Sequence, residues 1–196
     1  MPIASVARWM RKRIHRLGFV AERNLASVTG DRLESGPLRL RPAAVEDFAA
    51  VATLIQDPLE CFYVHPSGHY PWSVEQIEQL CVTREQLSVV EQNHQVVGFA
   101  DLYQIVPGAS AFIGNLIIGR EARGQGAGRA LIEYMTQQAA NRHRVREIRL
   151  SVFNGNTPAL MLYARMQFTP YALEERIDWG GQPVILIHMK KPIHAR

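Results

Sequence analysis

The spacing of apolar and polar positions changes period several times along the chain, and each change marks an element. Leu38-Arg39-Leu40-Arg41-Pro42 alternates with period two and stops at proline, which predicts a short strand. Val45 to Gln56 then carries apolar residues at helical spacing. Asp57 to Trp72 mixes turn formers with aromatics and reads as a long, functional loop. Ser73 opens a second helix as its N-cap, with Glu75 and Gln76 in the first turn. Leu87 to Glu91 and Gln95 to Ile105 read as a hairpin turning at Gln92-Asn93-His94, and after the Pro107-Gly108 break Ala111 to Ile118 forms another apolar strand. Arg129 to Asn141 is amphipathic, Glu147 to Phe153 alternates through Ile148, Leu150 and Val152, and Pro158 falls where a first helical turn accepts it. Tyr171 to Asp178 and Val184 to Lys190 flank Trp179-Gly180-Gly181-Gln182, a strong hairpin signal. The order is βααβββαβαββ, an α/β (α+β) arrangement of a mixed sheet with helices on it.

Residues 1–36 differ from this body. Arg8, Arg11, Lys12, Arg13 and Arg16 come with no acid until Glu22, opposite apolar positions Ile3, Val6, Met10, Ile14 and Leu17 at helical steps. The simplest expectation is an appendage, helical or frayed, with the globular domain spanning 37–196. The alternative is a surface- or partner-binding helix within residues 1–20. These five basic residues also carry most of the formal charge of +4, so the rest is close to neutral and lacks the basic, aromatic-interleaved stripe of a nucleic-acid binder. Cys61 and Cys81 have neither metal-ligand nor redox spacing, so structural thiols and no metal are expected. Without an apolar span or a cleavable leader pattern, a cytoplasmic location is expected.

The chemistry concentrates in Ile117-Ile118-Gly119-Arg120-Glu121-Ala122-Arg123-Gly124-Gln125-Gly126-Ala127-Gly128-Arg129, a buried strand running through a glycine-rich turn into a helix. Glycines let a ligand approach the backbone, and free amides with the helix dipole favour an anion such as a pyrophosphate. A Walker loop would need Lys-Ser/Thr after its last glycine, where Arg129-Ala130 stand. The dinucleotide fingerprint would need G-x-G-x-x-G in the first βαβ unit, whereas these glycines are evenly spaced and late.

Arg123-x-x-Gly126-x-Gly128 resembles the Q/R-x-x-G-x-G/A motif of the GNAT superfamily of N-acetyltransferases, in the position between fourth strand and third helix that the family uses. Asn156-x-x-Ala159-x-x-x-Tyr163, after the fifth strand, is a second match. The resemblance covers about residues 38 to 190 and implies a mostly antiparallel sheet of about seven strands with about four helices, using acetyl-CoA as co-substrate. It implies that backbone amides of Leu116, Ile117 and Ile118 lie beside the pantetheine and acetyl carbonyl, and that those of Arg123, Gly124, Gln125, Gly126, Ala127, Gly128 and Arg129 hold the phosphates. Asn156 would contact the cofactor, and Tyr163 would protonate the departing thiolate as general acid.

Two positions depart from the family pattern. Ala111 to Gly119 has no carboxylate to serve as general base, and Gln167 replaces a glycine often found after the tyrosine. Deprotonating a lysine amine at pH 7 costs about 4.6 kcal/mol and an α-amine only about 1, so the missing base leans toward a weakly basic acceptor with a water relay. The acceptor, a primary amine of a small molecule or protein N-terminus, is expected against Glu60, Phe62, Tyr63, His65, His69 and Tyr70 of the long loop. Glu174, Glu175 and Asp178 near the last hairpin are readable as holding a cationic amine and equally as a solvated face. The rival readings are an acyl-CoA sensor without turnover and, on the N-terminal arginines alone, a nucleic-acid adaptor. Homodimerisation stays open.

Overall fold

The computed structural model describes residues 37–193, and the expected N-terminal extension lies outside the described residues. Seven strands form one sheet in the order β1-β2-β3-β4-β5-β7-β6: β1 (Leu38–Pro42), β2 (Glu85–Gln92), β3 (Gln95–Val106), β4 (Ser110–Ile118), β5 (Glu147–Phe153), β6 (Thr169–Ile177) and β7 (Pro183–Pro192). Five helices flank it: α1 (Phe48–Thr53), α2 (Pro58–Val64), α3 (Val74–Thr83), α4 (Ala127–His143) and α5 (Thr157–Arg165). Every strand pairing is antiparallel except β4 with β5.

The sequence pattern foretells four helices, and the additional one is α2, inside the stretch expected as a loop. Its start is nonetheless written locally. Asp57 is an N-cap whose carboxylate accepts from the Glu60 amide at 2.8 Å, with Pro58 in the first turn. Seven residues with aromatics scattered through them are too few to show a period. The helix expected over Val45 to Gln56 is shorter, a 3-10 turn at Val45–Asp47 running into α1. The Arg41 guanidinium forks between Asp47 (2.6 Å) and Glu91 (2.5 Å), fixing that turn to β1 and β2.

Both faces of the sheet are covered, so successive residues of the central strands enter different cores. Val90 and Ala100 pack with Leu131, Ile132 and Met135 of α4, while their neighbours Val89 and Phe99 pack with Val51 of α1 and Ile77 and Leu80 of α3. This is why the central strands read as apolar runs rather than as strict alternation.

Two irregularities place the site. β4 and β5 pair only over Ser110–Phe112 with Glu147–Arg149, after which β5 follows β7 to Phe153 and β4 follows β3 to Ile118. The two strands therefore share one end and part at the other. Within β4, three steps from Gly114 to Ile117 oppose two steps from Asp101 to Phe99, so β4 carries one extra residue there. Asn115 in that bulge has φ of 45°. Beyond Gly114 β4 keeps its pairing with β3, so its other edge faces the gap without a strand partner.

Candidate active site

The gap between β4 and β5 opens into a cleft of about 1180 Å3 that runs from the glycine-rich turn, past the bulge, to the β6–β7 hairpin. Leu116, Ile117 and Ile118 line it, as does the turn that follows. Gly124 and Gly126 hold φ of 77° and 93°, the left-handed region that glycine enters without cost, and no heavy atom lies within 4 Å of where a Cβ would stand. Open space over both glycines suits a ligand laid on the backbone. The first hydrogen bond of α4 runs from the Ala130 amide to the Gly126 carbonyl, leaving the preceding amides to a ligand, and no acid stands in that first turn. Gly128 serves differently: a Cβ there would stand 3.1 Å from Leu162 and 3.6 Å from Ile118, so its absence lets α4 close on α5 and β4.

The side chains around this turn are fixed. The Arg123 Nε donates to the Ile118 carbonyl at 2.9 Å and its guanidinium pairs with Glu60 at 3.0 Å. Arg129 lines the cleft and pairs with Glu133 along its own helix. Gln125 and Ala127 do not line the cleft. The Gln125 side chain bonds Gln92 and the Glu121 carbonyl, and Ala127 is buried. The residues present fit a pyrophosphate-bearing thioester such as acetyl-CoA: open glycines at a helix start for the phosphates, and a strand backbone released from its neighbour for the pantetheine.

Asn156 caps α5, its Oδ1 accepting from the Ala159 amide at 3.3 Å, and faces the cleft. One helical stretch further Tyr163 is 5% exposed yet lines the same cleft. Burial pushes its phenol well above the ordinary tyrosine range, so it stays a proton donor at any physiological pH.

Beyond the bulge the wall is aromatic. Phe62 of α2 stacks on Phe153 at 4.5 Å and meets Trp179 of the hairpin edge-on at 5.4 Å, and the Tyr63 hydroxyl fits against Gly155, where a Cβ would lie 2.4 Å from it. His65 approaches the bulge, its Nδ1 3.3 Å from Asn115 Nδ2, and burial lowers its pKa. Glu60 lines the cleft with its carboxylate already paired. It pairs with Arg120 at 2.9 Å and with Arg123, and the same Arg120 bonds Asp57. Tyr70 is exposed, its hydroxyl donating to the Gln56 carbonyl, and neither it nor His69, Glu175 or Asp178 lines the cleft.

The structure joins Glu174, named in the sequence, to residues that no motif announced. Ser151 of β5 and His188 of β7 stand opposite each other in register, with Oγ 2.8 Å from Nδ1, and His188 Nε2 lies 3.4 Å from Glu174 of β6. All three line the cleft. Their sequence signal is faint but physical: Ser151 and His188 are the polar members of two alternations, Leu150-Ser151-Val152 and Ile187-His188-Met189, whose apolar members are buried in the core. Tyr103 and Arg84 line the same region, with the guanidinium centred 4.2 Å over the phenol ring. Behind them Asp101 is fully buried with both carboxylate oxygens unpartnered.

Comparison with known proteins places this geometry. Residues 51–168 match the model of the Acetyltransferase (GNAT) family. A spermine/spermidine N(1)-acetyltransferase of Bacillus subtilis (strain 168) is 22% identical over 171 residues, 83% of this chain and 96% of that protein. Among solved structures, the ribosomal-protein-S18-alanine N-acetyltransferase from Escherichia coli superposes with a TM-score of 0.64 at 22% identity, over 82% of this chain and 96% of that one. A Salmonella typhimurium protein solved with its cofactor acetyl-CoA gives a TM-score of 0.62 at 18% identity, over 82% and 98%. Together with the splayed strands and glycine turn, the family match shows that this chain belongs to the GNAT acetyltransferase family and is an acyltransferase.

Proposed function

We propose that the chain transfers the acetyl group of acetyl-CoA directly to a primary amine held beyond the β4 bulge. The observation that carries this reading is one continuous cleft with the open glycine turn at one end, Tyr163 facing its middle and a Ser151–His188–Glu174 hydrogen-bonded chain at the other. Acetyl-CoA supplies an activated carbonyl and a thiol leaving group.

The residues divide the proton traffic. An ammonium entering beside Ser151 gives its proton to Oγ while the hydroxyl proton passes to His188 Nδ1, and Glu174 faces the imidazolium that results. The free amine then attacks the carbonyl, Tyr163 gives its phenolic proton to the departing sulfur as the C–S bond breaks, and the second proton, shed by the adduct nitrogen as the amide forms, returns through water to the tyrosinate. A thiol near pKa 8.5 leaves readily as thiolate, so Tyr163 assists rather than enables. The chain's relatives act on spermine or spermidine and on a ribosomal protein's alanine, two different amines, so the acceptor must be read from this cleft itself.

The test is release of CoA thiol with a panel of amines, amino acids and peptides. Acceptor-dependent release should vanish in Gly126→Glu, which places a side chain and a negative charge in the turn, and should fall about tenfold or more in His188→Gln. Acetyl-CoA that binds but is never discharged by any amine would sink the proposal.

A further inference from the structure

The acceptor end of the cleft has an unmatched positive charge and no unmatched negative one. The carboxylates lining the cleft are Asp57, Glu60 and Glu174. Asp57 pairs with Arg120, Glu60 with Arg120 and Arg123, and Glu174 with Arg176 at 2.9 Å and with His188. A polycationic acceptor would find its second charge facing arginines. Arg84, half-buried where α3 ends, lines the cleft, and its side chain forms neither an ion pair nor a hydrogen bond among the described residues. Asp101 feels its charge without reaching ion-pair distance, and lies buried outside the cleft lining.

Arg84 is too far from the glycine turn to serve the phosphates of the cofactor. It stacks on Tyr103, which pairs with Phe112 of β4, six residues before Ile118, a strand length of roughly 20 Å. Stacking fixes the guanidinium plane and leaves its N–H edge for a ligand, and that planar fork takes an oxyanion in a bidentate pair, of which the carboxylate is the form that amino acids and peptides carry beside an amine. Arg165, the other arginine of the lining without an ion pair among the described residues, sits on α5, the helix that packs on the glycine turn.

Resting on the acetyl-transfer reading, we infer that the acceptor is an amine that also carries a carboxylate, bound by Arg84 on its Tyr103 platform. The amine then lies toward Ser151 and the carboxylate toward α3. A free amino acid and a peptide with an acidic group share this chemistry.

The experiment compares matched pairs that differ by the carboxylate, lysine with cadaverine and phenylalanine with phenethylamine, alongside spermidine and the dipeptides Ala-Asp and Ala-Asn amide. It measures kcat/KM and, by calorimetry, binding of each acceptor to the protein saturated with CoA. Wild-type protein should bind the carboxylate member about ten- to a hundredfold more tightly, and Arg84→Ala should erase that ratio while acetyl-CoA affinity stays unchanged. Free amino acids ahead of both dipeptides would identify the small acceptor, and Ala-Asp ahead of all would identify the peptide. Spermidine or cadaverine preferred by the wild type, or a ratio that survives Arg84→Ala, overturns this inference while leaving acetyl transfer standing. Failure of acetyl-CoA itself to bind would instead remove the reading beneath it.

Discussion

Tyr163 and Asp101 are both buried ionisable groups near the cleft, and burial acts on them in opposite functional senses. Desolvation disfavours the charged form of each. For Tyr163 that keeps the phenol protonated, which is what a proton donor requires, so Tyr163→Phe should lower kcat about ten- to a hundredfold with KM for acetyl-CoA little changed. A KM effect with unchanged kcat would assign the ring to binding instead. For Asp101 burial pushes the carboxyl up to about 7, with the Arg84 charge opposing. In the unfolded chain the same group titrates near 3.9. Between those values the native state holds a proton that the unfolded state has lost, so this contribution to stability is fully present below pH 4 and is lost as pH rises through 7. Asp101→Asn stays neutral throughout. Denaturant unfolding should therefore show the wild type losing about 2 to 3 kcal/mol more than the variant between pH 5 and pH 8. Parallel curves would mean that Asp101 is solvated or paired in solution.

At the scale of elements, the bulge in β4 and the cap of α5 decide whether the cleft exists. Gly114 sits beneath the bulge, where a Cβ would come within 2.6 Å of an Asp101 oxygen and 2.9 Å of the Tyr103 ring. Gly114→Ala should cost about 1 to 3 kcal/mol in denaturant unfolding, and it should weaken acceptor use more than acetyl-CoA binding because Tyr103 must shift. This constraint was not legible in the sequence, where Gly114 reads as one more small residue of an apolar strand. What was legible is whatever local chemistry writes. The Asn93-His94 turn, with φ of 51° and 63°, the glycine turn at Gly124 and Gly126 and the Ser73 cap all follow from residue types at fixed offsets. Of the acceptor end only Glu174 was singled out in the sequence, because Arg84, Tyr103, Ser151 and His188 come from four separate places and meet it only through the fold. Glu60 shows the converse. Its position in a loop facing the site suggested an acceptor contact, but two arginines from the β4–α4 connection reach it first.

On the scale of the whole molecule, the sheet is two half-sheets, β1 to β4 and β5 to β7, joined by three residue pairs between β4 and β5. The apolar cluster beneath α4 and α5 spans that seam, with Ala111 and Ile113 on one side and Leu150 and Val152 on the other. Hydrophobic contact is non-directional and tolerates small shifts of one half against the other. The hydrogen bonds that would set the distance between β4 and β5 beyond Phe112 are absent by construction, since that gap is the cleft. A ligand bridging the glycine turn, the β4 backbone and α5 would supply them, so acetyl-CoA should act on stability as well as on chemistry. Binding at a concentration of 100 times Kd should add about 2.7 kcal/mol to unfolding. Hydrogen exchange places the effect: amides of Asn115 to Ile118 and of the first turn of α4 should gain protection, while β1 and β2, already paired and remote from the seam, should not. The same titration with Gly126→Glu should leave both unfolding and exchange where they stand in the free protein. Protection spread evenly over all seven strands would show instead that the two halves already move as one rigid body, and that the cleft is held open by the packing beneath it.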